Sequence, residues 1–275
     1  MTTPSDQQPV DDRLNEDEHD GLTFEIVEEE QTQEGKVRSR GIYLIPNSIT
    51  TAALLSGFYS IIASTNGNYL KAIAAIFLAA LLDGLDGRAA RMLNAQSPFG
   101  EQFDSLSDML SFGVAPAILI YSWALAPFGR LGMACAFIFT ACAAFRLARF
   151  NVQIAVVSKK YFVGLASPLA AILVASGVWV GVDNPDYIDI SQIQFAVAYA
   201  ALVVIGGMLM ISNVRYFSFK EFDRKRVPFM MMIPIVLAMV AVTYNFPVGL
   251  FVAGVIYALS GLWTTMRMRS QRHTA

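Results

Sequence analysis

Charge is scarce in this chain: 15% of its residues are Asp, Glu, Lys or Arg, against 55% hydrophobic, where an ordinary globular chain carries roughly 25% charged residues. That shortage excludes a soluble domain with a conventional solvated surface and makes lipid the solvent for most of the sequence. Cysteine is equally sparse. Cys135 and Cys142 lie seven residues apart in one apolar stretch, so they share a helix face on which a disulfide within the helix would be strained. With no His or Cys partner nearby to form a zinc set, they read as small packing residues. No basic element of the kind that reads nucleic acid is visible, and no internal repeat of fixed period.

Most of the acids are concentrated at one place. More than half of them (Asp6, Asp11, Asp12, Glu16, Asp17, Glu18, Asp20, Glu25, Glu28, Glu29, Glu30 and Glu34) stand in residues 1–40. Such an acidic, apolar-poor segment buries too little surface to offset its ordering entropy, and it reads as a disordered cytoplasmic tail without a signal peptide. The net charge of -2 therefore averages an acidic tail against a basic remainder.

What is abundant is long apolar runs. A bilayer core of about 30 Å needs about 20 apolar residues per helix. About eight windows after Arg40 meet that demand: 44–63, 69–93, 100–125, 131–150, 162–182, 193–211, 229–244 and 248–266. The expected fold is an all-α polytopic helix bundle over 41–275. Alternating the loops from a cytoplasmic tail puts Arg88, Arg91, Arg146, Arg149, Lys159, Lys160, Arg215, Lys220, Arg224, Lys225, Arg226, Arg267, Arg269 and Arg272 on the cytoplasmic side. Only Lys71 and Arg130 fall on the other. This bias predicts an even number of spans with both termini in the cytoplasm, an acidic external loop at Asp183, Asp186 and Asp189, and a lipid-surface anchor at Arg224, Lys225 and Arg226.

Against this background, carboxylates within the second and third spans demand a reason, because an ionised acid inside the bilayer costs a few kcal/mol or more. Asp83 and Asp86 are three apart and Asp104 and Asp108 four apart, so each pair shares one helix face. A short turn near Gln96 to Phe99 makes the two helices antiparallel neighbours and can bring both pairs to one site. Hard oxygen ligands select Mg²⁺, Mn²⁺ or Ca²⁺, one or two ions, with substrate phosphate completing the shell. Gly87, Ala90 and Gly100, each one turn from an acid, leave room for a bulky group, and Arg91 is placed to bind phosphate bidentately. Three other readings use the same acids: structural pairing with Arg88 or Arg91, a proton relay, and a divalent-cation transporter. Transport predicts a polar path to the far side, and the external halves of these spans are apolar.

The string DGLDGRAARMLNAQSPFGEQFDSLSD, residues 83 to 108, resembles the signature of the CDP-alcohol phosphotransferases, D-x-x-D-G-x-x-A-R-x8-G-x3-D-x3-D, at every fixed position. The resemblance implies Asp83, Asp86 and Asp104 as metal ligands and Asp108 as both ligand and general base. It also implies Gly87, Ala90, Arg91 and Gly100 as the nucleotide and pyrophosphate site, with lipid tails entering from the bilayer. Beyond the signature, GIYLIPNSITTAALLSGFYSIIA, SFGVAPA, RLARFNVQ and YFVGLASP are similar to the bacterial membrane-type CDP-diacylglycerol–serine O-phosphatidyltransferases, from about Gly41 to Val182. Ala166 stands where that group has Pro, and the tail is long.

That likeness implies CDP-diacylglycerol and L-serine as substrates, Mg²⁺ or Mn²⁺, two ions, as cofactor, a bacterial inner-membrane location with the site facing the cytoplasm, and a homodimer. The alternative within the family is transfer to glycerol 3-phosphate or inositol phosphate. A serine pocket needs a fixed cation, for which Arg146 and Arg149, three apart on one face, are the candidates, with Asn151 and Gln153 following. Both arginines can equally be lipid-phosphate anchors. Asn47, just after Pro46, is a nucleotide contact or a plain helix cap.

Overall fold

The computed structural model describes residues 44–153, 162–216 and 245–273. Their regular structure is helical except for one two-residue ladder. The first helix, α1 (Leu44–Thr65), carries Pro46 in its opening turn, where a missing N–H costs nothing. It buries Thr50, Ala53, Ser56, Gly57, Ser60, Ala63 and Ser64, a stripe at three- and four-residue spacing made of small side chains, as close packing of helices in lipid requires. Against it lies α2 (Tyr69–Met92), antiparallel, through Ala72, Ile73, Ala75, Ile76 and Ala79. Two hydroxyls fasten the seam: Ser56 Oγ donates to Ala75 O at 2.8 Å and Ser60 Oγ to Ala72 O at 2.9 Å. The connecting turn uses Gly67 at φ 74°.

A tight turn follows α2. Asn94 takes a left-handed φ of 50°, which its short polar side chain tolerates, and Ala95 N–H closes onto Ala90 O at 2.9 Å. Ser97 then caps α3 (Pro98–Asp108), accepting from Gly100 N–H at 3.0 Å, with Pro98 opening the helix. The cap and proline start the helix two residues before the expected Gly100. Immediately after Asp108 the helix widens into π turns over Met109–Val114, returns to α geometry in α4 (Ala115–Ile120), widens again over Tyr121–Leu125 and ends in a 3₁₀ turn, Ala126–Phe128. Wider turns loosen the backbone ladder, and a neighbouring hydroxyl compensates: Thr140 Oγ1 donates to Gly113 O at 3.1 Å.

Beyond Gly129 run α5 (Arg130–Gln153), α6 (Ser167–Asp183), α7 (Ile193–Ile211) and α8 (Phe246–His273). The expected fifth span began at Phe162. Instead Phe162–Val163 (β1) pairs antiparallel with Arg215–Tyr216 (β2), and the helix waits until Ser167. Gly164 sets that delay: its φ is 84°, and a Cβ there would collide with the carbonyl oxygen of Met210. Helix α6 is buried along most of its length, from Ser167 to Gly181, and packs on α2, α7 and α8. Phe112, Leu119, Ile120, Leu125, Phe139 and Val174 fill the centre.

The outward faces are apolar. Leu55 is 66% exposed, Leu81 60% and Phe137 68%, a pattern stable only against lipid. Four helices among the described residues are long and apolar enough to cross a bilayer, Leu44–Thr65, Pro98–Phe128, Arg130–Val152 and Ile193–Ile211, and two shorter apolar helices accompany them, Ser167–Asp183 and Phe246–Gly261. Helix α2 is long enough, but its last turns carry Asp83, Asp86, Arg88 and Arg91. The chain is thus a helical membrane protein. The acidic tail, the expected seventh span at 229–244 and the Arg224–Lys225–Arg226 run lie outside the described residues. Cys142 is buried, Cys135 partly so, and both are free thiols.

Candidate active site

The α2–α3 hairpin brings acids from both helices together. One carboxylate oxygen each from Asp83, Asp104 and Asp108 lies within 4.8 Å of the others. Two ionised oxygens at 4.8 Å would repel by about 3.5 kcal/mol at an effective dielectric of about 20, so three carboxylates this close cannot all stay charged unless something neutralises them. A shared cation is what turns this repulsion into attraction. The donor chemistry fits a hard divalent ion, and the buried Oδ1 of Asp104 has no hydrogen-bond partner, as a ligand oxygen facing a metal would have none.

Asp86 stands apart from that trio. Its side chain is 4% exposed and accepts a hydrogen bond from Thr50 Oγ1 of α1 at 2.7 Å, while remaining near enough to Asp83 and Asp104 for their charges to interact. Asn47, one turn before Thr50, has its Oδ1 beside Gly100, 3.5 Å from where a Cβ would sit. The start of α1 therefore borders the same mouth as the start of α3. Gly87 faces open space, with only Arg91 Nη2 at 3.9 Å from a hypothetical Cβ, and Ala90 is half-buried. Arg91 is exposed and folds back on its own helix, Nε donating to Gly87 O at 2.8 Å.

From the other side comes the C-terminal end of α5. Arg146 is close enough to Asp108 for their charges to interact. Its Nη1 donates to Ser167 Oγ at 2.7 Å, and its buried Nε has no partner. Arg149 takes a different direction, Nη1 donating to Ile211 O at 3.2 Å and Nη2 to Asn213 Oδ1 at 2.8 Å. It thereby satisfies the carbonyl end of α7. Asn151 pairs with Ser105, between Asp104 and Asp108, at 3.1 Å. Sequence reasoning had singled out neither Thr50, Ser105 nor Ser167. Their signals are weak: single hydroxyl residues, each meaningful only once a partner 36, 46 or 21 residues away is known.

Fold and site together define a helical membrane protein built around a carboxylate centre beside a buried arginine. The chain belongs to the CDP-alcohol phosphatidyltransferase family, whose model matches residues 43–206. It is 37% identical over 180 residues to the CDP-diacylglycerol–serine O-phosphatidyltransferase of Helicobacter pylori (strain ATCC 700392 / 26695), covering 66% of this chain and 74% of that one. Identity to the enzyme of the same name from Bacillus subtilis (strain 168) is 33% over 159 residues, 55% of this chain and 89% of the relative. To the archaetidylserine synthase of Methanothermobacter thermautotrophicus it is 37% over 174 residues, 62% and 69% of the two chains.

Proposed function

We propose that this protein transfers the phosphatidyl group of CDP-diacylglycerol to the hydroxyl of L-serine, giving phosphatidylserine and CMP. The observation that carries the reading is the meeting of Asp83, Asp104 and Asp108 beside Arg146, whose Nε is buried without a partner. The names of the relatives favour serine as acceptor.

Asp83, Asp86, Asp104 and Asp108 would hold Mg²⁺ or Mn²⁺, with Ca²⁺ also compatible; bound there, one or two such ions neutralise the pyrophosphate and stabilise the departing CMP. The chain's own residues do the rest. Asp108 accepts the proton of the serine hydroxyl as its oxygen bonds to the phosphorus carrying diacylglycerol and the bond from that phosphorus to CMP breaks. Arg146 offers its free Nε to the serine carboxylate, with the pocket holding the acceptor oriented toward phosphorus. Arg149 and Asn151, fastened to Asn213 and Ser105, shape the wall behind it. Gly87 and Ala90 leave space for the nucleotide and pyrophosphate, Arg91 swings from its helix to the phosphates, and Asn47 and Gly100 border the nucleotide.

The site lies at the basic end of α2, beside Arg88 and Arg91, which supports a bacterial inner-membrane enzyme working from the cytoplasmic side. About eight spans with both termini cytoplasmic, a tail over 1–40 and a homodimer complete the reading. Its test is CMP release by purified protein supplied with CDP-diacylglycerol, Mn²⁺ or Mg²⁺ and, separately, L-serine, glycerol 3-phosphate and inositol phosphate. Release with serine alone, lost in Asp108→Asn, is expected. Release with another alcohol reassigns the acceptor, and release with none removes the transferase reading.

A further inference from the structure

We infer that Thr50, on a helix that contributes no acid, is a positioning residue that sets the geometry of the carboxylate centre by holding Asp86. The inference rests on the metal-dependent reading above. Helix α1 has no charged side chain between Leu44 and Thr65, yet Thr50 touches both acidic helices. Toward α2, its Oγ1 lies 2.7 Å from Asp86 Oδ2 and 3.1 Å from Pro46 O. A hydroxyl has one proton, and the shorter contact to a carboxylate takes it. Toward α3, the carbonyl of Thr50 accepts from Ser107 Oγ at 3.4 Å, and Ser107 immediately precedes Asp108.

Both Thr50 and Asp86 are 4% exposed, so no bulk water substitutes for the hydroxyl. The terminal torsion of an Asp side chain is broad and soft. Without the Thr50 bond the Asp86 carboxylate is free to turn, and with it one orientation is selected. The Thr50 carbonyl meanwhile fixes how far α3 slides along α1. One residue thus relates the acids of α2 to those of α3, in the way partners of metal ligands orient the ligands they touch. Packing alone does not need the hydroxyl, since Thr50→Val keeps the volume, the branching and the backbone carbonyl.

The test is Mn²⁺ binding by the full-length protein in detergent, followed by the EPR signal of free Mn²⁺, for wild type, Thr50→Val and Thr50→Ser, with metal-free melting temperatures in parallel. Thr50→Val is expected to weaken Mn²⁺ binding about 10- to 100-fold, Thr50→Ser to restore it, and Thr50→Val to add no further loss to Asp86→Ala, which has no acceptor for the hydroxyl. Should Thr50→Val not fold, Thr50→Cys, a weak donor of similar size, is expected to bind more weakly than Thr50→Ser. Wild-type binding by Thr50→Val or Thr50→Cys, a Ser variant no better than Val, or an undiminished effect on Asp86→Ala overturns the inference. If wild type itself binds no Mn²⁺, the metal reading falls first and takes this one with it.

Discussion

Arg146, within charge range of Asp108, donates from Nη1 to Ser167 Oγ at 2.7 Å while its buried Nε has no partner. A buried cation with an unused donor is costly unless something arrives to use it. If that is the serine carboxylate, Arg146→Gln removes charge-assisted hydrogen bonds worth about 1.5–3 kcal/mol. The apparent KM for serine then rises about 10- to 100-fold, with the KM for CDP-diacylglycerol little changed. Ser167→Ala, which only frees Nη1, produces a smaller rise of the same kind. Initial-rate CMP release with each substrate varied in turn measures both; equal damage to the two KM values argues for a structural arginine.

Gly87 has no packing reason to be glycine, since a Cβ there meets only Arg91 Nη2 at 3.9 Å. In a helix interior Ala is favoured over Gly by about 1 kcal/mol. Gly87→Ala is accordingly expected to melt at the same temperature as wild type or higher, yet to bind CDP-diacylglycerol more weakly because the methyl group occupies nucleotide space. Thermal unfolding in detergent and the CDP-diacylglycerol dependence of CMP release separate the two effects. A variant both stable and fully active removes Gly87 from the site.

Gly57 is the opposite case. A Cβ there collides with Ser111, whose Cα would be 2.8 Å away, and Ser111 Oγ also reaches Ala53 O at 3.3 Å. Backbone cannot yield as a flexible side chain can. Gly57→Ala should therefore destabilise by about 1–3 kcal/mol and shift α1 against the π-helical turns that follow Asp108, weakening metal binding as well. Gly84→Ala, with nothing within 4 Å of its Cβ, serves as the control and gains up to about 1 kcal/mol. Melting temperatures of the two variants, compared side by side, decide.

These cases show which layers the amino-acid pattern carries. Spacing alone placed Asp83 with Asp86 and Asp104 with Asp108, because helix periodicity is local, whereas the start of α3, expected at Gly100, lies at Pro98 because Ser97 caps the helix there. Tertiary direction is not local. Arg146 and Arg149 share a face by spacing, yet the first bonds Ser167 within charge range of Asp108 and the second bonds the end of α7, a divergence decided by where α6 begins and α7 ends. Asp86 counted as an equal of the other acids until its bond to Thr50 set it apart. The start of α6 differs from the expected Phe162 because Gly164 takes a left-handed φ where a Cβ would meet the carbonyl of Met210, far along the chain.

Orientation in the membrane yields the last prediction. Arg88 and Arg91 flank the carboxylates at one end of α2 and Lys71 stands at the other, and in bacterial membranes the richer basic end stays inside. Gln96, in the turn joining α2 to α3, and Asp186, in the loop joining α6 to α7, are both exposed. In a background of Cys135→Ala and Cys142→Ala, a membrane-impermeant maleimide applied to intact spheroplasts should label Asp186→Cys at once. Gln96→Cys should react only after the membrane is broken. The consequence is chemical as well as topological: a site opening at Gln96 meets serine and releases CMP on the same side, so neither polar species crosses the bilayer. Labelling of Gln96→Cys from outside would place the carboxylate centre on the outer leaflet and contradict an enzyme that takes serine from the cytoplasmic side.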